Sequence, residues 1–323
     1  MNYKQAYNLQ NDILHGKLSK EKILKVFESL AKRQLQPEEF RGFVDASKAN
    51  MLKLETGFDC LDTCGTGGDK LGTFNISTAA ALVCAAGGAK VAKHGNRCVS
   101  SKSGSADVLE ALGVKINLDT TAVKKCLEKA GIVFLFAPNF HPAFKNVSEA
   151  RKEYGQRTYF NFLGPLLNPA LPKFQVLGVA DQYMKGLMSE VLLKSDIQNA
   201  MLVSSIDGMD EINTIAPTEI TQIQAGKLVK FRIDPQNLGM HPATLEDIQG
   251  GTAQENAKIL LAIFNNQATI PQTEIVILNA GAGLLVAGIV ETLELGIKLA
   301  SELISSGKVL AKLNKFIKTS NES

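Results

Sequence analysis

The amino-acid sequence predicts an α/β protein with a small N-terminal helical domain, residues 1–57, and a large α/β domain, residues 58–323, built on a central, mostly parallel sheet. Three observations lead there. Residues 1–57 carry helical periodicity and no strand pattern. From Cys60 onward, short apolar runs alternate with helical stretches. Glycines cluster at the ends of those runs, where α/β folds bind ligands. A length of 323 residues suits two domains, and an apolar fraction of 45% is enough for a sizeable core.

In the N-terminal part, Ile23, Leu24, Phe27, Leu30 and Ala31 form one helical stripe, with Ser19 as its expected cap. Pro37 suits a first helical position, and Glu38 and Glu39 favour the positive end of the helix dipole. Phe40, Phe43, Val44 and Met51 continue a helical face that Gly57 would stop. A segment near 146–172 is expected to pack on these helices. Residues 60–64 read as a strand, 77–86 as a helix ending at Gly87-Gly88, and 89–92 as a strand. Residues 105–112 read as a helix stopped by Gly113, and Asp119 caps another that stops at Gly131. Residues 132–136, 175–179, 200–204 and 275–278 read as strands, with helices around 184–194 and 253–264. Residues 219–224 and 228–233 read as an antiparallel hairpin turning at Ala225-Gly226-Lys227.

Lys and Arg number 35 against 32 Asp and Glu, so the net charge of +3 excludes the dense basic surface of a dedicated nucleic-acid binder. No membrane span or signal core is legible, because the longest nearly apolar stretch, 280–290, falls short of the roughly 20 residues a span needs. Cys60, Cys64, Cys84, Cys98 and Cys126 contain no C-x-x-C pair and read as reduced thiols of a cytoplasmic protein. The four histidines are scattered, which argues against zinc.

Three segments carry chemistry. Gly65-Thr66-Gly67-Gly68-Asp69, between a strand and a helix, matches neither the P-loop nor the dinucleotide spacing, yet its glycines let several N–H groups approach one anion. Thr73-Phe74-Asn75-Ile76-Ser77-Thr78 crowds hydroxyls and an amide at a helix start, a pattern that serves a phosphate and its metal as well as capping. Lys93-His94-Gly95-Asn96-Arg97 leads from a strand into the polar run Ser100-Ser101-Lys102-Ser103-Gly104-Ser105.

These segments, extended through Val108-Leu109-Glu110, resemble the anthranilate phosphoribosyltransferases of tryptophan biosynthesis. So do Phe136-Ala137-Pro138, His141-Pro142-Ala143, the run from Arg157 to Pro169, Asp207-Gly208-Met209-Asp210-Glu211 and Leu278-Asn279-Ala280, in order along nearly the whole chain. The resemblance implies a nucleoside phosphorylase/phosphoribosyltransferase-like fold with the active site at the hinge between the two domains. It implies phosphoribosyl pyrophosphate and anthranilate as substrates, and Mg²⁺ as the cofactor. By resemblance, Gly65, Thr66, Gly67, Gly68, Asp69, Thr73, Asn75, Ile76, Ser77, Thr78, Lys93 and Ser105 bind phosphoribosyl pyrophosphate. Gly65, Asn96, Pro138, His141 and Arg151 line the anthranilate route, and Ser77, Asp210 and Glu211 hold Mg²⁺. Lys93, His94 and Arg151 position the reactants, and no residue stands out as a general acid or base. The chain departs from the family pattern at Lys70, Cys98, Phe144 and Ser204-Ser205, none of which removes a charged or metal-binding group.

The resemblance also points to a homodimer through the N-terminal helices, as does the apolar content of Ile23, Leu24, Phe27, Leu30, Phe40, Phe43 and Val44. A pyrimidine nucleoside phosphorylase is a rival, but its K-x-S-G-R-G-L segment is missing. A non-enzymatic nucleic-acid-binding relative is a second rival, set against intact motifs and a nearly balanced charge.

Overall fold

The computed structural model describes residues 1–97 and 102–322. Three helices open the chain: α1 (Tyr3–Leu14), α2 (Lys20–Ala31) and α3 (Pro37–Ala49). Asn2 caps α1 by accepting the Gln5 N–H, whereas Ser19 stands at the N-cap of α2 without a side-chain capping bond. Helix α3 stops at Ala49, before Met51 and well before Gly57. The expected continuation loses to tertiary tethers: Leu52 N–H donates to the Phe140 carbonyl at 2.8 Å and Leu54 N–H to the Pro169 carbonyl at 2.9 Å.

The sheet has seven strands in the order β3-β2-β1-β4-β5-β6-β7. These are β1 (Leu61–Gly65), β2 (Val91–Gly95), β3 (Ile132–Phe136), β4 (Phe174–Gly178), β5 (Asn199–Ser205), β6 (Thr218–Gln224) and β7 (Lys227–Ile233). The first five in sequence run parallel, and β6 and β7 form the antiparallel hairpin. Period-two alternation sends Val91, Ile132, Phe134, Val176, Met201 and Val203 to one face. Ala92, Val133, Leu135, Leu177, Ala200 and Leu202 point to the other.

The first face is covered by α4 (Ile76–Ala86), α12 (Ile270–Val286) and α13 (Leu293–Ser305), with α5 (Ser105–Ala111), α11 (Ala253–Phe264) and α14 (Lys308–Asn321) packed around them. The second face carries α6 (Thr120–Lys129) and α10 (Gln182–Leu193), while α7 (Ala137–Phe140), α8 (Lys145–Tyr154) and α9 (Phe160–Leu163) lead toward the N-terminal helices. The strand expected at 275–278 is instead the middle of α12. Thr269 caps that helix by accepting the Gln272 N–H, and the helix is so deeply buried that it is apolar all round. No polar face interrupts the run, so its periodicity reads as well for a buried strand.

Ile23, Phe27, Leu30, Phe40, Phe43 and Val44 are buried within this chain, sharing a cluster with Val147, Ala150, Tyr159, Phe160 and the α10 face. The apolar surplus expected to form a dimer interface is therefore covered internally. Beside it, Glu39 has no solvent exposure. Burial alone would raise its pKa, but a bidentate Arg33 (2.6 and 2.7 Å), the Met1 amino group and the Gln36 N–H outweigh that and hold it at about 2.

A folded pKa depressed from the ordinary ~4.3 contributes stability above that pH and loses it as pH falls toward about 2. Urea unfolding should show Glu39→Gln less stable than the parent by ~2 kcal/mol at pH 7, discounted for the partly exposed Arg33, with the gap narrowing by pH 3. An equal gap at both pH values would contradict the ion-pair account.

Candidate active site

The strand order reverses direction at β1, flanked by β2 and β4, which is where parallel sheets open a crevice beyond their carboxyl ends. Gly65 and Gly178 are register partners at those ends. Both must be glycine because Asp210 sits on them: a Cβ on Gly178 would collide with the Asp210 backbone, and one on Gly65 would come within 2.9 Å of Oδ2. From Gly65 the chain turns through Gly67 and Gly68 at φ of 62° and 81°. Thr66 N–H donates to the Gly178 carbonyl and Gly67 N–H to Asp210 Oδ2, each at 2.9 Å. Lys70 takes φ of 61°, a left-handed conformation that favours glycine.

Asp210 and Glu211 follow β5 through the Asp207-Gly208 turn. Asn213 Nδ2 holds Asp207 Oδ2 at 2.8 Å, and Ser205 N–H meets the Met209 carbonyl at 2.9 Å. Behind them Asn279 of α12 accepts the Ile212 N–H at 3.0 Å and donates to the Ile212 carbonyl at 2.7 Å. The hydroxyls of Ser204 and Ser205 are tied to Gln182 and to Pro217 and Asn213. Burial, then Asp69, pushes the Asp210 carboxyl up to about 7. Burial, then Asp210, pushes Glu211 up to about 8, against the pull of Lys93 and the Ser77 backbone. Lys93 donates to the Thr63 carbonyl and, at 3.4 Å, to Ser77 Oγ; burial lowers its pKa, and Asp62, Cys64 and Glu211 oppose that only in part.

Asp69 raises both carboxyls, while Arg157 opposes the shift at Asp210 and Lys93 that at Glu211; three carboxyl groups thus meet two cations, an excess of negative charge that a further cation would relieve. Among the described residues no group of three or more His, Cys, Asp or Glu encloses a metal. Two carboxylates and a hydroxyl are hard oxygen donors that fit Mg²⁺, which leaves most of its octahedral shell to water and substrate phosphate. Among the described residues the buried Thr66 and Thr78 hydroxyls lack a hydrogen-bond partner, so polar capacity remains for a ligand.

Asn75 occupies the N-cap of α4 without a side-chain capping bond; its Oδ1 accepts from Asn256 at 2.9 Å and from Ser103 Oγ at 3.4 Å. Thr73 bridges to Gln249, and Phe74 N–H donates to the Ile248 carbonyl at 3.2 Å. The Ile76 side chain lies in the core, so only its backbone can meet a ligand. Ser105 opens α5 directly against Gly95. Cys98, Val99, Ser100 and Ser101 lie outside the described residues.

On the other side, His94 and His141 are buried with their Nε2 atoms 3.2 Å apart. Burial pushes both imidazoles down, His94 to about 3 with His141 adding to the shift, and His141 to about 4. Ring contacts continue from His141 to Phe144 at 5.4 Å and from Phe144 to Phe160 at 5.6 Å. Arg151 lies 5.5 Å over Phe160; burial lowers its pKa, and no carboxylate pairs with it among the described residues. Asn96 and Pro138 are exposed where β2 and β3 run out. Asp62, Asn168, Asn256 and Arg157 are not among the expected site residues, although Arg157 and Asn168 lie in the run from Arg157 to Pro169. Asp62 is buried, accepting from His94 N–H at 3.3 Å and Asn168 Nδ2 at 2.9 Å, and the only signal for it was a lone acid inside an apolar strand.

The histidines' folded pKa values lie below the unfolded ~6.5, so the unfolded state takes up protons first and stability falls as pH drops below that value. Imidazole NMR resonances of His94 and His141 should stay in the neutral form from pH 8 to pH 5, and His141→Gln should flatten the stability slope there. Titration of either ring near 6.5 would contradict the buried neutral pair.

The profile of the glycosyl transferase family, a/b domain, matches residues 57–310. An anthranilate phosphoribosyltransferase of Acetivibrio thermocellus is 47% identical over 96% of this chain and 90% of that protein. The crystal structure of anthranilate phosphoribosyltransferase from Thermus thermophilus superposes with a TM-score of 0.92 at 35% identity, covering 99% of this chain and 96% of that one. A Saccharomyces cerevisiae anthranilate phosphoribosyltransferase in complex with PRPP and Mg shares the fold, with a TM-score of 0.90 at 24% identity over 100% of this chain and 94% of that one.

Proposed function

The chain belongs to the anthranilate phosphoribosyltransferase family, and from that premise we propose that it transfers the phosphoribosyl group of phosphoribosyl pyrophosphate to the amine of anthranilate. The amine nitrogen bonds to ribose C1 as the bond from C1 to the diphosphate oxygen breaks. Its electron pair leaves with pyrophosphate, and the nitrogen releases a proton to water. Bond breaking at this acetal-like carbon runs through an oxocarbenium-like state. Lys93, Ser77 and the glycine-loop N–H groups face the leaving group and offset its growing charge. Mg²⁺ held by Asp210, Glu211 and Ser77 would neutralise part of that same charge.

An aromatic amine is neutral at pH 7, so no strong base is required, and the neutral His94–His141 pair fits that demand. The protein's main task is to hold amine and C1 together, worth ~7–11 kcal/mol when geometry is right. Arg151 carries the anthranilate half of the reading. A guanidinium over Phe160 with no acidic partner among the described residues suits a flat aromatic carboxylate.

We assign residues 1–57, with the segment near 146–172 packed on them, to the small domain and place the site at its hinge with the rest. The homodimer through N-terminal helices rests on family likeness, and light scattering should return twice the chain mass at micromolar concentration. Among the described residues no helix is long and apolar enough to cross a membrane. The thiols Cys60, Cys64 and Cys84 suit a cytoplasmic location.

Purified protein should consume anthranilate and release pyrophosphate only when phosphoribosyl pyrophosphate and Mg²⁺ are both present; phosphorolysis of a pyrimidine nucleoside instead would overturn the reading. Arg151→Ala should lower kcat/KM for anthranilate by on the order of 2–4 kcal/mol while moving the KM for phosphoribosyl pyrophosphate far less. Equal weakening of both substrates would make Arg151 structural. Asp210→Asn should lose most activity at low Mg²⁺ and recover partly as Mg²⁺ is raised. Superimposable Mg²⁺ titrations of variant and parent would place the metal elsewhere.

A further inference from the structure

The glycine loop is bonded on both edges, and only one edge belongs to the acidic cluster. Arg157, just beyond the Gly155 turn that ends α8, donates Nη2 to the Gly67 carbonyl at 2.6 Å. Its Nη1 reaches the Gly68 carbonyl at 3.5 Å, a weaker contact. The guanidinium lies 4.9 Å over the Phe162 ring of α9, which fixes its plane. A Cβ on Gly68 would come within 3.0 Å of the Arg157 Cζ, so the loop backbone and this side chain are closely fitted.

The peptide units here are trans, so the carbonyl of each residue and the N–H of the next point in opposite directions. Anchoring the Gly67 and Gly68 carbonyls on Arg157 therefore turns the N–H groups of Gly68 and Asp69 to the opposite side of the loop. Neither N–H meets an acceptor among the described residues. The two residues before them are already committed, Thr66 N–H to Gly178 and Gly67 N–H to Asp210. Two adjacent, outward-turned N–H groups beside a candidate Mg²⁺ site form an anion-binding concavity.

We propose that Arg157 is a positioning residue for the transfer reaction: by holding the Gly67 and Gly68 carbonyls it presents the Gly68 and Asp69 N–H groups to the diphosphate of the substrate. The proposal rests on the reading that the glycine loop takes the diphosphate. It also gives the segment that leads into α9 a direct hold on the loop, so diphosphate binding and the placement of that segment are linked. Arg157 is exposed, and exposed polar contacts contribute little to folding, so its removal tests positioning rather than stability.

Calorimetric titration of the full-length protein with phosphoribosyl pyrophosphate in Mg²⁺, using the parent, Arg157→Lys and Arg157→Ala, tests this. Arg157→Ala should raise the Kd and KM for phosphoribosyl pyrophosphate about 10-fold, consistent with loss of a charge-assisted hydrogen bond, with kcat and the KM for anthranilate within about twofold. Arg157→Lys, which can hold one carbonyl but not two, should fall between, and added guanidinium should partly restore Arg157→Ala. Unchanged affinity in Arg157→Ala would overturn the proposal alone. A lowered melting temperature with both substrates weakened, or no guanidinium rescue together with an Arg157→Lys as impaired as Arg157→Ala, would reduce Arg157 to a structural contact and also overturn it. A parent protein that does not bind phosphoribosyl pyrophosphate would overturn the substrate reading beneath it.

Discussion

The structure depends on one electrostatic constraint: Asp69, Asp210 and Glu211 are gathered at the carboxyl end of the sheet, with Lys93 opposing Glu211 and Arg157 opposing Asp210. Burying carboxyl groups together is unfavourable to their charged forms, and both Asp210 and Glu211 respond with raised pKa values. A protein selected for stability alone has no reason to build this. The arrangement persists because the scaffold over-determines it. Gly65 and Gly178 leave room beneath Asp210, the Gly67 N–H bonds it, and Asn279 clamps the following Ile212 from α12.

The rest of the site follows from that cluster. Lys93 reaches it from β2, the Ser77 backbone and hydroxyl from the start of α4, and the glycine loop closes over it from β1. The chain then passes the opposite way, through Asp62 and Asn168, to the neutral His94–His141 pair and the aromatic wall beneath Arg151. On the proposed reading, the acidic side of the crevice takes the diphosphate with its cation and the aromatic side takes the anthranilate.

Much of this was legible before the structure. The glycine loop, the hydroxyl cluster before α4 and the Lys93-His94 strand end announce themselves because tight turns and anion sites need particular residue types at particular spacings. The alternation of β1 to β5 with helices was also legible, since strands buried on both faces read as short apolar runs bounded by glycine. The buried helix α12 was misread because complete burial erases the polar face that marks helical period. The end of α3 was missed because tethers to Phe140 and Pro169 act across long sequence separations. The partners of the functional residues were the least visible. Asn256 and Asp62 act by hydrogen bonds that only the assembled chain creates, and no local pattern distinguishes them from ordinary polar residues; Arg157 and Asn168 stand in a run that resembles the family, but the run does not show what they hold. The apolar stripe of the first helices was read correctly as buried surface, but its cover is segment 145–167 and α10 of the same chain.

The central claim is that Asp210 and Glu211 exist to hold a divalent cation against the substrate's diphosphate. A crystal structure with Mn²⁺ and phosphoribosyl pyrophosphate tests it directly, since the anomalous signal of Mn²⁺ locates the cation independently of the protein density. The account predicts an anomalous peak in contact with both carboxylates and with diphosphate oxygens, the glycine loop lying over the same diphosphate. A cation bound to the diphosphate elsewhere, with Asp210 and Glu211 touching neither, would contradict it.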